Sequence, residues 1–266
     1  LTASRYRPAV KRSRLVEWAP TRLRQGDYRR SRLELKRAIQ IDPLSAEAHR
    51  LLGLVELQSQ DFRQALELLS RAVELNGDDR QARIELGRLL LRGGALERAL
   101  EQAQAVLAAQ PQDVEGRILL AAVRLAQKRG SEAAVPLDEL LAEGRTLPEI
   151  YVMRASLYQE AGEEARAAAL LEQGIRAQPQ SVALLVALAR LHAGAGRPAE
   201  AIPCMRRVVE LAPHQVEHRL ALAELLRQAD QEGAAEAILD EVVAAHRSDP
   251  EVLGKVTRYL IASRRF

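Results

Sequence analysis

Two histidines in the stretch PHQVEHR, His214 and His218, stand four residues apart, the separation that places two imidazoles on one helical face for a metal ion. His214 follows directly after Pro213, however, where a turn is expected, and no third Cys, His or paired carboxylate lies close in sequence. No metal site is expected. Cys204, in AIPCMRRVVE, follows a proline and lies near Arg206 and Arg207, cations that lower a thiol pKa when they face it. The competing reading is a small packing residue within a helix. As the lone cysteine of the chain it forms no internal disulfide, which leaves the redox compartment open. No phosphate-binding G-x-x-x-x-G-K-S/T loop, G-x-S-x-G elbow, H-E-x-x-H or C-x-x-C occurs. No catalytic residue and no cofactor is therefore expected, and the chain reads as non-enzymatic.

The elements that would position any site are helices. Of 266 residues 47% are hydrophobic but only 3% aromatic, and Ala, Leu, Arg, Glu and Gln dominate, side chains that lose little entropy in a helix. Apolar runs fall well short of the ~20 residues that span a bilayer, so no transmembrane segment is expected. The net charge of +3 is unevenly spread: residues 1–37 hold 12 Lys/Arg against 3 Asp/Glu, while residues 38–250 hold 23 against 32. Arg5, Arg7, Lys11, Arg12 and Arg14 could meet phosphates or anionic headgroups. The acidic body and the scarcity of stacking aromatics argue against nucleic acid. A solvated basic arm, residues 1–11, is expected, with a lipid anchor or membrane-surface contact left open; LTASRYRPAVKRSR could follow a removed leader.

The organising feature is a period of 34. QGDYRRSRLELKRAIQIDP aligns with SQDFRQALELLSRAVELNG at that offset, and it persists without insertion or deletion. One column of small residues runs Ala19, Gly53, Gly87, Ala121, Ala155, Ala189, Ala223 and Thr257; a second runs Ser31, Ala65, Ala99, Ala133, Ala167, Ala201 and Ala235. Between them lies a turn column of Gly26, Gln60, Gly94, Lys128, Gly162, Gly196 and Asp230. Each unit is helix, turn, helix. Pro43, Pro111, Pro179 and Pro213 close four units and Gly77 a fifth, while Arg145 and Arg247 stand where no breaker does. Small residues let neighbouring backbones approach and the large Leu residues beside them fill the remaining space. One helix pair cannot bury its own apolar face, so a strict repeat of this length implies a stacked array.

In period, in its columns, in the QGDY turn and in the closing IDP, the chain resembles the tetratricopeptide repeat family over residues 12–266. The resemblance implies an all-α, right-handed superhelical solenoid of seven repeats (12–45, 46–79, 80–113, 114–147, 148–181, 182–215, 216–249) and the first helix of an eighth (250–266). Pro20, Pro136 and Pro203 fall inside helices of this scheme and predict kinks or shortened helices. YLIASRRF then reads as an interruption, with Arg264 at the turn, Phe266 opening a missing second helix, and Val252, Val256, Leu260 and Ile261 partly uncovered. The segment GDYRRSRLELKRAIQIDPLSAEAHRLLG also resembles the opening repeats of tetratricopeptide lipoproteins of bacterial exopolysaccharide export, which implies a periplasmic or outer-membrane-associated scaffold; a cytoplasmic one is the alternative.

In the resembled family the first helix of each pair lines the concave groove. Its exposed positions are expected to include Arg50, Leu54, Leu57, Ile84, Arg88, Leu91, Arg92, Leu125, Val152, Gln159, Arg190 and Arg227. The paired Lys and Asn with which some members grip a peptide carboxylate are missing from this surface. Apolar patches dotted with Arg suit an amphipathic protein segment carrying Asp or Glu. The function expected is a protein-binding scaffold or adaptor within a larger assembly. The alternative is the substrate-recruiting arm of a longer enzyme, such as a glycosyltransferase or peptidase, with its catalytic domain elsewhere; RNA binding is a third reading.

Overall fold

A computed structural model describes residues 26–263, and the basic arm, Trp18, Pro20, Arg264 and Phe266 lie outside them. The described residues form fourteen helices: α1 (Tyr28–Ile41), α2 (Ala46–Gln58), α3 (Phe62–Leu75), α4 (Arg80–Arg92), α5 (Leu96–Ala109), α6 (Val114–Ala126), α7 (Gly130–Ala142), α8 (Pro148–Glu160), α9 (Glu164–Ala177), α10 (Val182–Gly194), α11 (Pro198–Leu211), α12 (Val216–Gln228), α13 (Glu232–Ala245) and α14 (Pro250–Ser263). No strand occurs among the described residues.

Local chemistry fixes the helix ends. Asp27, Ser45, Asp61, Asp79, Asp113 and Ser181 each accept a hydrogen bond from the backbone N–H three residues on, which satisfies a donor that the helix start leaves open. Every member of the turn column is left-handed, including three that are not glycine: Gln60 at φ 61°, Lys128 at φ 59° and Asp230 at φ 57°. Each costs on the order of 1–2 kcal/mol relative to glycine. The same turn geometry holds them there. After α2, for instance, Asp61 N–H donates to the Glu56 carbonyl at 2.9 Å and Gln60 N–H to that of Leu57 at 3.1 Å, the paired bonds that close a helix with one left-handed residue.

Of the two described prolines inside helices, Pro203 shortens nothing, while Pro136 lies in the one second helix that is a residue shorter than the rest. Helix α11 runs unbroken through Pro203 for 14 residues, the length of α9 and α13, so no shortening occurs. Pro203 removes the one amide that would reach Ala199, and both residues are exposed, so the freed carbonyl has access to water. Helix α7 contains Pro136 and has 13 residues. It ends on left-handed Gly144 (φ 74°), the breaker that the sequence reading missed one residue before Arg145.

The chain forms two compact units, Leu1–Pro136 and Leu137–Phe266. In the first, Leu35, Leu51, Leu52 and Val55 make one core cluster and Leu69, Ile84, Leu86 and Leu119 another. The small columns explain how closely these helices pack. A Cβ placed on Gly87 would stand 2.5 Å from Leu119 Cδ2, and one on Gly53 2.9 Å from Leu69 Cγ. In the second unit Tyr151, Leu171, Leu184 and Leu188 form one cluster and Met205, Leu222, Leu226 and Val256 another. Of the two small columns, every described member is buried except Thr257. Where Arg154 replaces the usual Leu, its guanidinium donates to Asp138 (2.6 and 3.2 Å) and lies 4.0 Å from the centre of the Tyr158 ring. The fold is an all-α helical-repeat solenoid.

Candidate partner-binding surface

Repeat geometry carries side chains from successive first helices onto one face, and in the first unit that face is occupied by arginine–carboxylate pairs. Arg50 of α2 reaches the cap of the next first helix, with Nε 3.3 Å from Asp79 Oδ2. Arg80, at the start of α4, does the same one repeat on: it is paired with Asp113, and its Nη2 donates to Glu115 at 2.6 Å. Arg88 Nη2 donates to the other Glu115 oxygen at 3.3 Å, and its Nη1 is 3.6 Å from Glu85. Burial works against ionisation of Asp113, but hydrogen bonds from Arg80 and the Gly116 N–H outweigh it and hold the carboxyl below its ordinary pKa. Deeper, the buried Glu56 accepts from Arg32 Nε at 2.8 Å and Nη2 at 2.7 Å.

These pairs alter the expected surface. Arg50 and Arg88 are engaged within the chain, and Arg227 is bound to Glu224 in the second unit (3.1 and 2.6 Å). Ile84 is fully buried and lines no surface, because its turn of α4 faces the core formed with α3 and α6. Leu54, Leu57 and Leu91 are half-buried and pack against the core clusters, and Leu125 is half-buried. Arg92 is exposed at the end of α4.

The second unit brings three of the expected residues together. Val152 and Gln159 of α8 and Arg190 of α10 line a cleft of about 230 Å³ whose remaining walls are Ala155, Ser156, Ala167, Leu171, Ala187 and Leu191. Small side chains leave the hollow open. Arg190 is exposed and carries no ion pair among the described residues. The sequence explains why. Arg190 occupies the same repeat position as Arg88, three periods later. Ala187 stands where Glu85 stood, and Glu217, the counterpart of Glu115, is held instead by Lys255 Nζ at 2.7 Å. That hydrogen bond also keeps the Glu217 carboxyl below its ordinary pKa. The signal that could have revealed the first unit's pairs was the acidic residue recurring near the start of the first helices, as in Glu47, Glu115, Glu149, Glu217 and Glu251.

The residues first considered for chemistry are dispersed. His214 is exposed in its turn and His218 half-buried, and no group of three or more metal-binding side chains occurs among the described residues. Burial pushes the Cys204 thiol above its ordinary pKa, with Glu172 adding to the effect. It packs between two core clusters and is not an activated thiolate.

Helix pairs stacked at a constant period around shared cores define a helical-repeat binding protein. Two family models, each described as tetratricopeptide repeat, match residues 16–61 and 52–114 and residues 158–210 and 192–259, together more than half of the chain. The chain belongs to the tetratricopeptide repeat family. Among solved structures it is similar to a thermophilic tetratricopeptide repeat protein of Thermus thermophilus (25% identity, 68% of this chain and 99% of that one, TM-score 0.63). A tetratricopeptide repeat protein of Parabacteroides merdae matches at 16% identity over 94% of this chain and 99% of its own, with a TM-score of 0.71. PilF of Pseudomonas aeruginosa matches at 20% over 82% and 99%, with a TM-score of 0.62. At the last two identities the likeness is one of fold. No curated protein matches.

Proposed function

We propose that this chain is a non-catalytic scaffold that holds an acidic segment of a protein partner on the first-helix face of its second unit. The observation that carries this reading is Arg190, an unpaired guanidinium beside a cleft of small side chains. A guanidinium binds a carboxylate through two parallel hydrogen bonds, which gives such a contact direction as well as strength. Tetratricopeptide repeat proteins bind protein partners, and on the first-helix face of the second unit Arg190 offers a free charge with room beside it. We place the assembly at the bacterial envelope, periplasmic or outer-membrane-associated, on the likeness of the opening repeats to exopolysaccharide-export lipoproteins.

The test is photo-crosslinking in the native host from a benzoylphenylalanine at Gln159, read by mass spectrometry. A protein adduct is expected whose yield falls about tenfold in Arg190→Glu, the size of a lost charge-assisted contact turned repulsive. Arg206→Glu, a charge reversal at another exposed position, on α11, should leave the yield unchanged. Equal yields in both variants would sink the reading. Recovery of the tagged chain in the cytosolic fraction alone would remove the envelope assignment.

A further inference from the structure

A second surface, confined to the first unit and built differently, takes in Arg92, one of the expected groove residues. At the turn ends of α3, α4 and α5 lies a pocket of about 490 Å³, within the range of clefts that bind ligands. Its floor is apolar: Leu89 and Leu90 are buried in the core, Leu66 packs against them, and Phe62 stands 48% exposed at the side. Its rim is cationic, with Arg63 from α3, Arg92 from the end of α4 and Arg98 from α5.

The nearby carboxylates do little to neutralise this rim. Glu67 lies 3.5 Å from Arg63 on side chains 67% and 91% exposed, a pairing worth little in water. Asp61 caps α3, and Glu97 accepts from Gln127 at 2.9 Å. Neither Arg92 nor Arg98 has an ion-pair partner among the described residues. An exposed Phe beside buried Leu, ringed by guanidinium groups, is complementary to an apolar side chain flanked by carboxylates.

We propose that this pocket is a docking site for a protein segment in which a large apolar anchor is flanked on both sides by Asp or Glu. The anchor enters between Phe62 and Leu66, and the flanking carboxylates meet Arg92 and Arg98. This site uses none of the residues of the second-unit cleft, so the two readings fail separately.

The experiment uses a fluorescent peptide, Glu-Asp-Leu-Phe-Asp-Glu, with affinity for the full chain read by anisotropy at low ionic strength, where exposed charges are least screened. The double variant Arg92→Glu/Arg98→Glu is expected to weaken binding at least tenfold. Phe62→Ala should weaken it several-fold, and Arg190→Glu should change it less than twofold. All of these side chains are exposed, and circular dichroism checks that each variant retains its helices. A photo-reactive analogue at the peptide's Phe position should mark residues between 62 and 98. Unchanged affinity in the double variant, equal binding of a Lys-flanked twin, or adducts in the second unit would each overturn the proposal. So would displacement by dodecanoate at lower concentration than by unlabelled peptide, which would make the pocket a site for a single-headed amphiphile.

Discussion

Arg88 and Arg190 occupy the same place in their repeats, yet one is tied down twice and the other not at all. Nothing in either helix backbone accounts for this. The difference lies in two neighbouring positions: Glu85 has become Ala187, and the counterpart of Glu115 has been taken by Lys255. The first unit therefore uses Arg50, Arg80 and Arg88 as structure, cross-linking one repeat to the next through Asp79, Asp113 and Glu115. The second leaves a cation for something else. An arginine on a repeat surface thus reports a binding site only once its carboxylate neighbours, on its own helix and the next, have been accounted for.

The sharpest test is stability. Arg32→Met strands the buried carboxylate of Glu56 and should destabilise the first unit by about 3 kcal/mol in urea unfolding, because an uncompensated buried charge remains. Arg190→Met should shift stability by no more than about 0.5 kcal/mol, as for other exposed positions. Equal effects would erase the contrast between the units.

A smaller effect is expected at Asp113, which both caps α6 and pairs with Arg80. Asp113→Ala should cost roughly 2 kcal/mol at pH 7, one cap and one charge-assisted bond. Because the native carboxyl titrates below its unfolded value of about 3.9, its contribution is fully present above about pH 4 and is lost as pH falls through the native value. Unfolding curves at pH 7 and pH 3 should therefore converge more in the variant than in the parent. A variant as acid-sensitive as the parent would place that sensitivity elsewhere.

The gentlest changes convert one unit's chemistry into the other's. Ala187→Glu supplies Arg190 with the neighbour three residues back that Arg88 has, and should lower the crosslinking yield at position 159 about twofold, or about 0.4 kcal/mol. Lys255→Met, which copies Met153 at the same repeat position, releases Glu217 toward Arg190 and should lower the yield about twofold. An increase in either case would show that Arg190 does not contact the partner.

Much of the fold was legible because it is written in spacing. The small columns mark where helices touch, as the steric limits at Gly53 and Gly87 show, and the turn column located every left-handed residue between paired helices, even where Gln60, Lys128 and Asp230 replace glycine. The site was legible only in part. Helix phase placed Ile84 on the surface, but depth depends on which neighbour covers that turn, and α3 and α6 cover it. The ion pairs escaped notice because their partners are 27 to 35 residues apart, across a repeat boundary, where reach and rotamer decide. The pocket at Phe62 draws on three helices and has no linear motif.

The uninterrupted period has an evolutionary consequence. Because every position keeps the same neighbours at a constant offset, a single substitution such as Glu to Ala at the position of residue 187 alters the pairing of a residue in its own repeat without disturbing the backbone, while a Lys two repeats along the array redirects a carboxylate that another residue would have used. Recognition can therefore drift by point mutation, one repeat at a time, on a scaffold whose geometry is inherited unchanged.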